Sequence, residues 1–188
     1  MNSRGRVSLD DQATRALAQD EFARPLIVEA GAGTGKTALL VARVAAWCVG
    51  AGWDRHTGDE DEPSAVARRV IEGVVAITFT EAAAAEMATR IGAALAGLAG
   101  GENPIGWVPG HTLAGLDPTE IAARASALGG EVHRLSVTTI HAYCQRVLAA
   151  HPFEADLHAQ KVSRVHAGGP QERAVRRMGP ETRLRRER

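Results

Sequence analysis

Lysine is almost missing from this chain of 188 residues: there are two, Lys36 and Lys161, against twenty arginines. Cysteine is equally scarce, and Cys48 and Cys144 make no disulfide framework and no metal-binding spacing. Both fall in Ala-rich runs, where a buried free thiol is the expectation. No apolar run reaches the length of a membrane span, and no signal-peptide pattern opens the chain, so a soluble, cytoplasmic protein with no membrane partner is expected. No internal repeat is evident. The formal net charge is zero, and that zero hides an asymmetry. Residues 1–160 carry 13 Lys+Arg and 19 Asp+Glu, a net of −6; residues 161–188 carry 9 and 3, a net of +6. A mildly acidic body is followed by a basic tail.

What is present is a globular composition, 45% hydrophobic and 23% charged, over a length that suits one domain with a real core. One of the two lysines sits in residues 26–37, LIVEAGAGTGKT. Leu26, Ile27 and Val28 read as a short buried strand. Gly31, Gly33 and Gly35 follow in a loop, and Lys36 and Thr37 open a run of helix formers, ALLVARVAAW. Strand, glycine loop, Lys-Thr and helix together are the phosphate-binding loop of nucleoside triphosphatases. Glycines let backbone N–H groups turn inward around phosphates, and the helix start adds partial positive charge. Lys36 would reach the β- and γ-phosphates of ATP, and the Thr37 hydroxyl would hold Mg²⁺. The loop spans Ala30, Gly31, Ala32, Gly33, Thr34, Gly35, Lys36 and Thr37; Ala30 stands where the usual pattern has glycine.

Along the rest of the chain, SLDDQATRALAQDEF from Ser8 reads as a capped helix that stops before Pro25. The helix after the loop ends at Gly50 and Gly52, and residues 53–65, polar and acidic, read as a solvated surface insertion. His56 among those acids has no regular metal spacing. A second strand is expected at about 70–79, then a helix over EAAAAEMATRIGAALAGLAG that stops at Gly100 and Gly101. Residues 101–117 are an irregular connection. Pro118 starts a helix ending at Gly129 and Gly130, and Leu135 to Thr138 form a third strand running into HAYCQRVLAAH. The order is an α/β pattern, which implies a parallel sheet with right-handed crossovers.

Three further stretches line up with the loop: LDDQ before it, TFTEAAAAEMATRI after the second strand, and TTIHAYCQRVLAAHPFEADL after the third. In order and spacing, residues 8–158 resemble the N-terminal motor domain of UvrD/Rep-like superfamily 1 DNA helicases, nearest to the RecB/AddA helicase–nuclease subunits. That resemblance implies a P-loop, RecA-like parallel sheet flanked by helices, of which residues 1–158 form the N-terminal part, with a helical insertion beginning over about 101–130. It implies ATP and Mg²⁺ as cofactors. Its partners would be single-stranded DNA, or a duplex with a single-stranded tail, and a nuclease or helicase partner protein. Gln12 matches a glutamine that reads adenine, with a compressed spacing from Leu9; a surface helix glutamine is the other reading. Thr78, Phe79 and Thr80 match a motif lying along DNA, where Phe79 offers a ring to a base; the alternative for Phe79 is a core position at a strand end. Glu81-Ala82 follows where the family often has a lysine, one phosphate contact fewer. Thr139 and His141 match a second DNA-backbone motif, and a lone histidine there would otherwise cap or fill the core.

Hydrolysis needs a carboxylate for Mg²⁺ and a Glu to orient water, normally on an apolar strand ending Asp-Glu. No such strand follows Thr37 in these residues, and no arginine finger or second motor domain can be assigned. Lys36 and Thr37 are therefore expected to hold ATP–Mg²⁺ in a chain that alone does not unwind DNA, whose intact relatives would translocate 3′ to 5′ in repair or recombination. The tail, residues 159–188, carries eight arginines in its last 25 residues; a frame-shifted or truncated product is the favoured reading over a basic nucleic-acid-binding segment. Two other readings stay open: a small P-loop kinase, and a non-enzymatic remnant that binds nucleotide or DNA.

Overall fold

The computed structural model describes residues 11–29, 31, 33–58, 62–104, 107 and 116–152. The expected helix cap at Ser8 or Asp10, most of the 101–117 connection and the basic tail lie outside the described residues. Contacts divide the chain into two compact units, residues 1–139 and 140–188.

The first unit is a mixed helix–strand structure whose core is helical. Its helices are α1 (Asp11–Asp20), α2 (Lys36–Val49), α3 (Ala51–His56), α4 (Pro63–Glu72), α5 (Glu81–Ala99) and α6 (Pro118–Glu131). Two strands, β1 (Val75–Thr78) and β2 (Ser136–Thr139), pair in parallel with Val75 opposite Ser136 and Thr78 opposite Thr139. Val41, Ala45, Cys48 and Val49 of α2 meet Val66, Val70 and Ile71 of α4, Ile91, Leu95 and Leu98 of α5, and Ala125 and Leu128 of α6. These positions recur at helical spacing, so each helix buries one stripe and leaves the other to water. Burial pushes the Cys48 thiol up to about 12, keeping it protonated and inert at neutral pH.

Two departures from the sequence reading have clear causes. Residues 70–72, expected to begin a strand, are the last turn of α4. Pro63 opens that helix with no lost donor, and Val66, Ala67, Val70 and Ile71 all face inward, a helical and not an alternating pattern. Likewise residues 53–65 are not a loop throughout, because α3 covers Ala51–His56 and Trp53 is buried. The Arg124 guanidinium lies 5.6 Å from the Trp53 ring and donates to the Val49 carbonyl (2.8 Å) and to Asp54 (2.8 Å), so α6 is latched across α2 and α3.

The strand expected at residues 26–28 is also absent. Leu26, Ile27 and Val28 are extended, but β1 and β2 pair only with each other, and Ile27 is 88% exposed. A strand is made by its neighbour's hydrogen bonds, and no described residue supplies a ladder to this run. The sheet itself is open: Val75 (48% exposed) and Ile77 (44%) lie uncovered on β1.

In the second unit, α7 (Ile140–Ala150) has no buried residue, and Cys144 on it is exposed. No described helix is long and apolar enough to cross a membrane.

Two stability predictions follow from this packing. Leu95→Ala empties a fully buried site on α5 and should cost about 2–5 kcal/mol in denaturant unfolding, whereas Phe79→Ala, at a 91% exposed residue, should change stability by less than about 0.5 kcal/mol. Equal losses would contradict this assignment of the core. The second concerns α6, where the Asp117 carboxylate accepts from the backbone N–H of Thr119 (2.7 Å) and Glu120 (3.0 Å). Those bonds, Glu120 foremost, hold its pKa below the ordinary carboxylate value. A depressed pKa stabilises the fold above the unfolded value of about 3.9 and loses that effect as pH falls through the lower folded value. Wild type should therefore exceed Asp117→Ala in stability at neutral pH, and the gap should close in acid; a gap independent of pH would contradict the cap's charge.

Candidate nucleotide-binding site

The glycine loop turns into α2 at Gly35, which has φ 83°, with Gly33 at φ 76°. Both angles lie in the left-handed region that a side chain disfavours, so these two glycines are required by the bend itself. A Cβ at Gly33 would meet no atom within 4 Å among the described residues. Leu39 N–H donates to the Gly35 carbonyl (3.0 Å), the first hydrogen bond of α2. Backbone donors at the start of a helix have no acceptor within it, so this end attracts anions.

Two side chains of the loop converge on one acceptor. The Thr34 hydroxyl donates to the Gly31 carbonyl (2.8 Å), and Lys36 Nζ donates to the same oxygen. Lys36 is thus folded over the mouth of its own loop, and Thr37 follows, half-buried, in the first turn of α2. Ala30 and Ala32 lie outside the described residues.

A cavity of about 600 Å³ adjoins the loop. Thr14, Arg15, Leu17 and Ala18 of α1 form one wall, residues 26–29 another, and Thr34, Gly35, Lys36 and Leu39 the floor. The volume falls in the range of small-molecule sites, with a mainly apolar lining and few polar groups. Half-buried Leu26 and exposed Ile27 and Val28 line the cavity. Gln12, by contrast, is exposed in the first turn of α1 and does not line it.

The wall formed by α1 is tied to α2. Arg43, from the middle of α2, donates to the carbonyls of Ala18 and Glu21, each at 2.7 Å. Its guanidinium stacks 4.6 Å from the Phe22 ring, and Phe22 meets Trp47 edge-on at 5.2 Å. Burial draws the Arg43 pKa down, opposed by Glu21 and then Asp20. Neither Arg43 nor Arg15 stood out in the sequence. Arg15 carried a faint signal, three residues past Gln12 and so near the same helical face.

Of the expected DNA residues, Thr78, Phe79, Thr80 and Thr139 fall at the C-terminal ends of the strands. Thr78 and Thr139 are register partners, so Phe79 and Thr80 leave β1 next to the end of β2. Phe79 is not a core residue; it is 91% exposed. The Thr80 hydroxyl accepts from Ala83 N–H (3.1 Å) as the N-cap of α5. Thr139 is half-buried at the strand end. His141 belongs to the second unit and is exposed in the first turn of α7. Both strands end in threonine, and the described residues hold no group of three His, Cys, Asp or Glu suited to a metal ion.

A helix opening from a glycine-bent loop, with a lysine over its mouth and a cavity beside it, suits a phosphate-bearing ligand. Comparison with known proteins makes the class specific. The family model of the UvrD/REP helicase N-terminal domain matches residues 9–182, and the chain belongs to that family. It is similar to an ATP-dependent helicase/nuclease subunit of Moorella thermoacetica, 36% identical over 132 residues, which are 70% of this chain and 7% of that protein. The protein of the same name from Desulforamulus reducens is 34% identical over 132 residues (70% and 8%), and that from Geobacillus thermodenitrificans 31% over 147 residues (78% and 9%). The chain thus spans less than a tenth of the length of these curated relatives. No solved structure matches.

Because Thr80 caps α5, Thr80→Ala should lower stability by about 1 kcal/mol, and Thr80→Asp, which keeps an acceptor at the cap, should recover most of it. Chemical denaturation of the two variants checks this; equal loss in both would mean the hydroxyl is not a cap.

Proposed function

We propose that this chain is the N-terminal ATP-binding portion of an ATP-dependent DNA helicase acting in repair or recombination. On this reading residues 1–158 are the first part of a RecA-like P-loop motor domain, with residues 101–130 opening a helical insertion. The observation that carries the proposal is Lys36 at the start of α2, beside the left-handed Gly33 and Gly35 and on the floor of a 600 Å³ cavity.

The residues present fit ATP–Mg²⁺. Backbone donors of the loop and the start of α2 would take phosphate oxygens, Lys36 would exchange the Gly31 carbonyl for phosphate, and the Thr37 hydroxyl would hold the ion. Mg²⁺ supplies charge neutralisation on the phosphates. The base would enter the cavity, and Gln12, in the first turn of α1, would read adenine.

Single-stranded DNA, or the tail of a duplex, would run across the strand ends. Phe79 presents an exposed ring for a base, and Thr80 and Thr139 present donors to phosphates; His141, in the second unit, is proposed by itself as a further backbone contact. Curated relatives are named helicase/nuclease subunits, so a protein partner belongs to this proposal, as does 3′ to 5′ movement in the intact protein. Within these 188 residues no Asp-Glu strand accompanies the loop, so the chain by itself binds ATP without DNA-stimulated turnover.

Thermal unfolding with and without ATP–Mg²⁺ tests the nucleotide half. At a ligand concentration 100-fold above Kd the chain should gain about 2.7 kcal/mol of stability, and Lys36→Ala should abolish most of that gain. An equal gain in both proteins would refute the role given to the loop. Anisotropy of a labelled oligonucleotide tests the other half, where Phe79→Ala should cost about 1–3 kcal/mol of binding.

A further inference from the structure

The geometry points to Arg15 as a second phosphate-contacting cation of the nucleotide cavity. This inference rests on the reading of the loop as a nucleotide site, and it adds a residue from a different element, the α1 wall.

Three observations converge on it. First, Arg15 reaches the loop: its Nη2 donates to the Thr34 carbonyl at 3.2 Å, across nineteen residues of sequence. Its Nη1 would lie 3.9 Å from a Cβ placed on Gly35, so the guanidinium stands against the backbone just ahead of Lys36. Secondly, among the described residues the cavity is lined by one anion, Glu29, and two cations, Arg15 and Lys36. Without Arg15 the lining would be formally neutral, Glu29 offsetting Lys36. An anionic ligand is drawn to a cleft with a surplus of the opposite sign, and Arg15 supplies that surplus. Thirdly, Arg15 stands on a helix that is held in place. Arg43 grips the C-terminal carbonyls of α1 from α2, the helix that begins in the loop, so the guanidinium and the loop belong to one packed body.

The chemistry suits the position. A guanidinium carries five N–H donors in a planar fork, which lets it hold a backbone carbonyl at one edge and present another edge to a phosphate oxygen.

Titration of the full chain with a fluorescent ATP analogue, competed by ATP, ADP and adenosine at several salt concentrations, tests this. Arg15→Gln keeps a donor for the Thr34 carbonyl and removes the charge; Arg15→Lys keeps the charge; Arg15→Ala removes both. Loss of one charge-assisted phosphate contact should weaken ATP about tenfold in Arg15→Gln and Arg15→Ala. The salt dependence of their ATP binding should also be shallower, adenosine affinity should be unchanged, and Arg15→Lys should retain most of the ATP affinity. If Arg15→Gln binds ATP as wild type does while Lys36→Ala does not, Arg15 is only a brace for the loop and the inference is overturned with the loop reading intact. If Lys36→Ala also binds as wild type does, the nucleotide reading falls and this inference with it. Circular dichroism of the unliganded variants separates weak binding from unfolding, and should Arg15→Ala unfold, the Gln and Lys variants decide the matter.

Discussion

Burial of one face of α2 is the constraint on which the rest of the site depends. Val41, Ala42, Ala45, Cys48 and Val49 are locked among α4, α5 and α6, and a helix held along that stripe cannot choose where its first amides point. The loop needs only the bends at Gly33 and Gly35 to bring its backbone around that end. Arg43, from the same helix, then fixes α1, and α1 closes the cavity. A single packed helix therefore carries the loop, orients its lysine and positions the opposite wall.

The part of the site built from local backbone demands was legible in the sequence. Glycine spacing, Lys36 and the helix formers after it imply a loop bent into a helix, and the structure shows left-handed bends at Gly33 and Gly35. The helices α5 and α6 were legible for the same reason, since caps and apolar periodicity are local, although α6 runs through Gly129 and Gly130 to Glu131 instead of stopping there. The strands were harder. Residues 26–28 have every intrinsic preference of a strand but no hydrogen-bonding neighbour among the described residues, and a neighbour is a property of the whole fold. Val70 and Ile71 look continuous with the apolar run of β1, and only the inward-facing Val66 and Ala67 upstream show that they close a helix.

Side-chain reach was the least legible of all. Nothing in the letters says that Arg15 touches the loop or that Arg124 latches three helices, because each contact crosses between elements whose packing is not local. The same limit applied to Phe79, for which a core site and an exposed one were both open until its ring proved to stand in water at the end of β1. On the proposed function, that exposed ring and the paired threonines beside it would lie along a nucleic acid. These residues contain no Asp-Glu strand, so the proposed nucleotide grip stands apart from the carboxylates that hydrolysis needs.

Amide hydrogen exchange with and without ATP–Mg²⁺ addresses that grip at the level of single segments. Bound nucleotide should slow exchange across residues 31–39, the loop and first turn of α2, and along the cavity face of α1, while β1 and β2 change little. Exchange in residues 31–39 that is indifferent to saturating ATP–Mg²⁺ would contradict the nucleotide site.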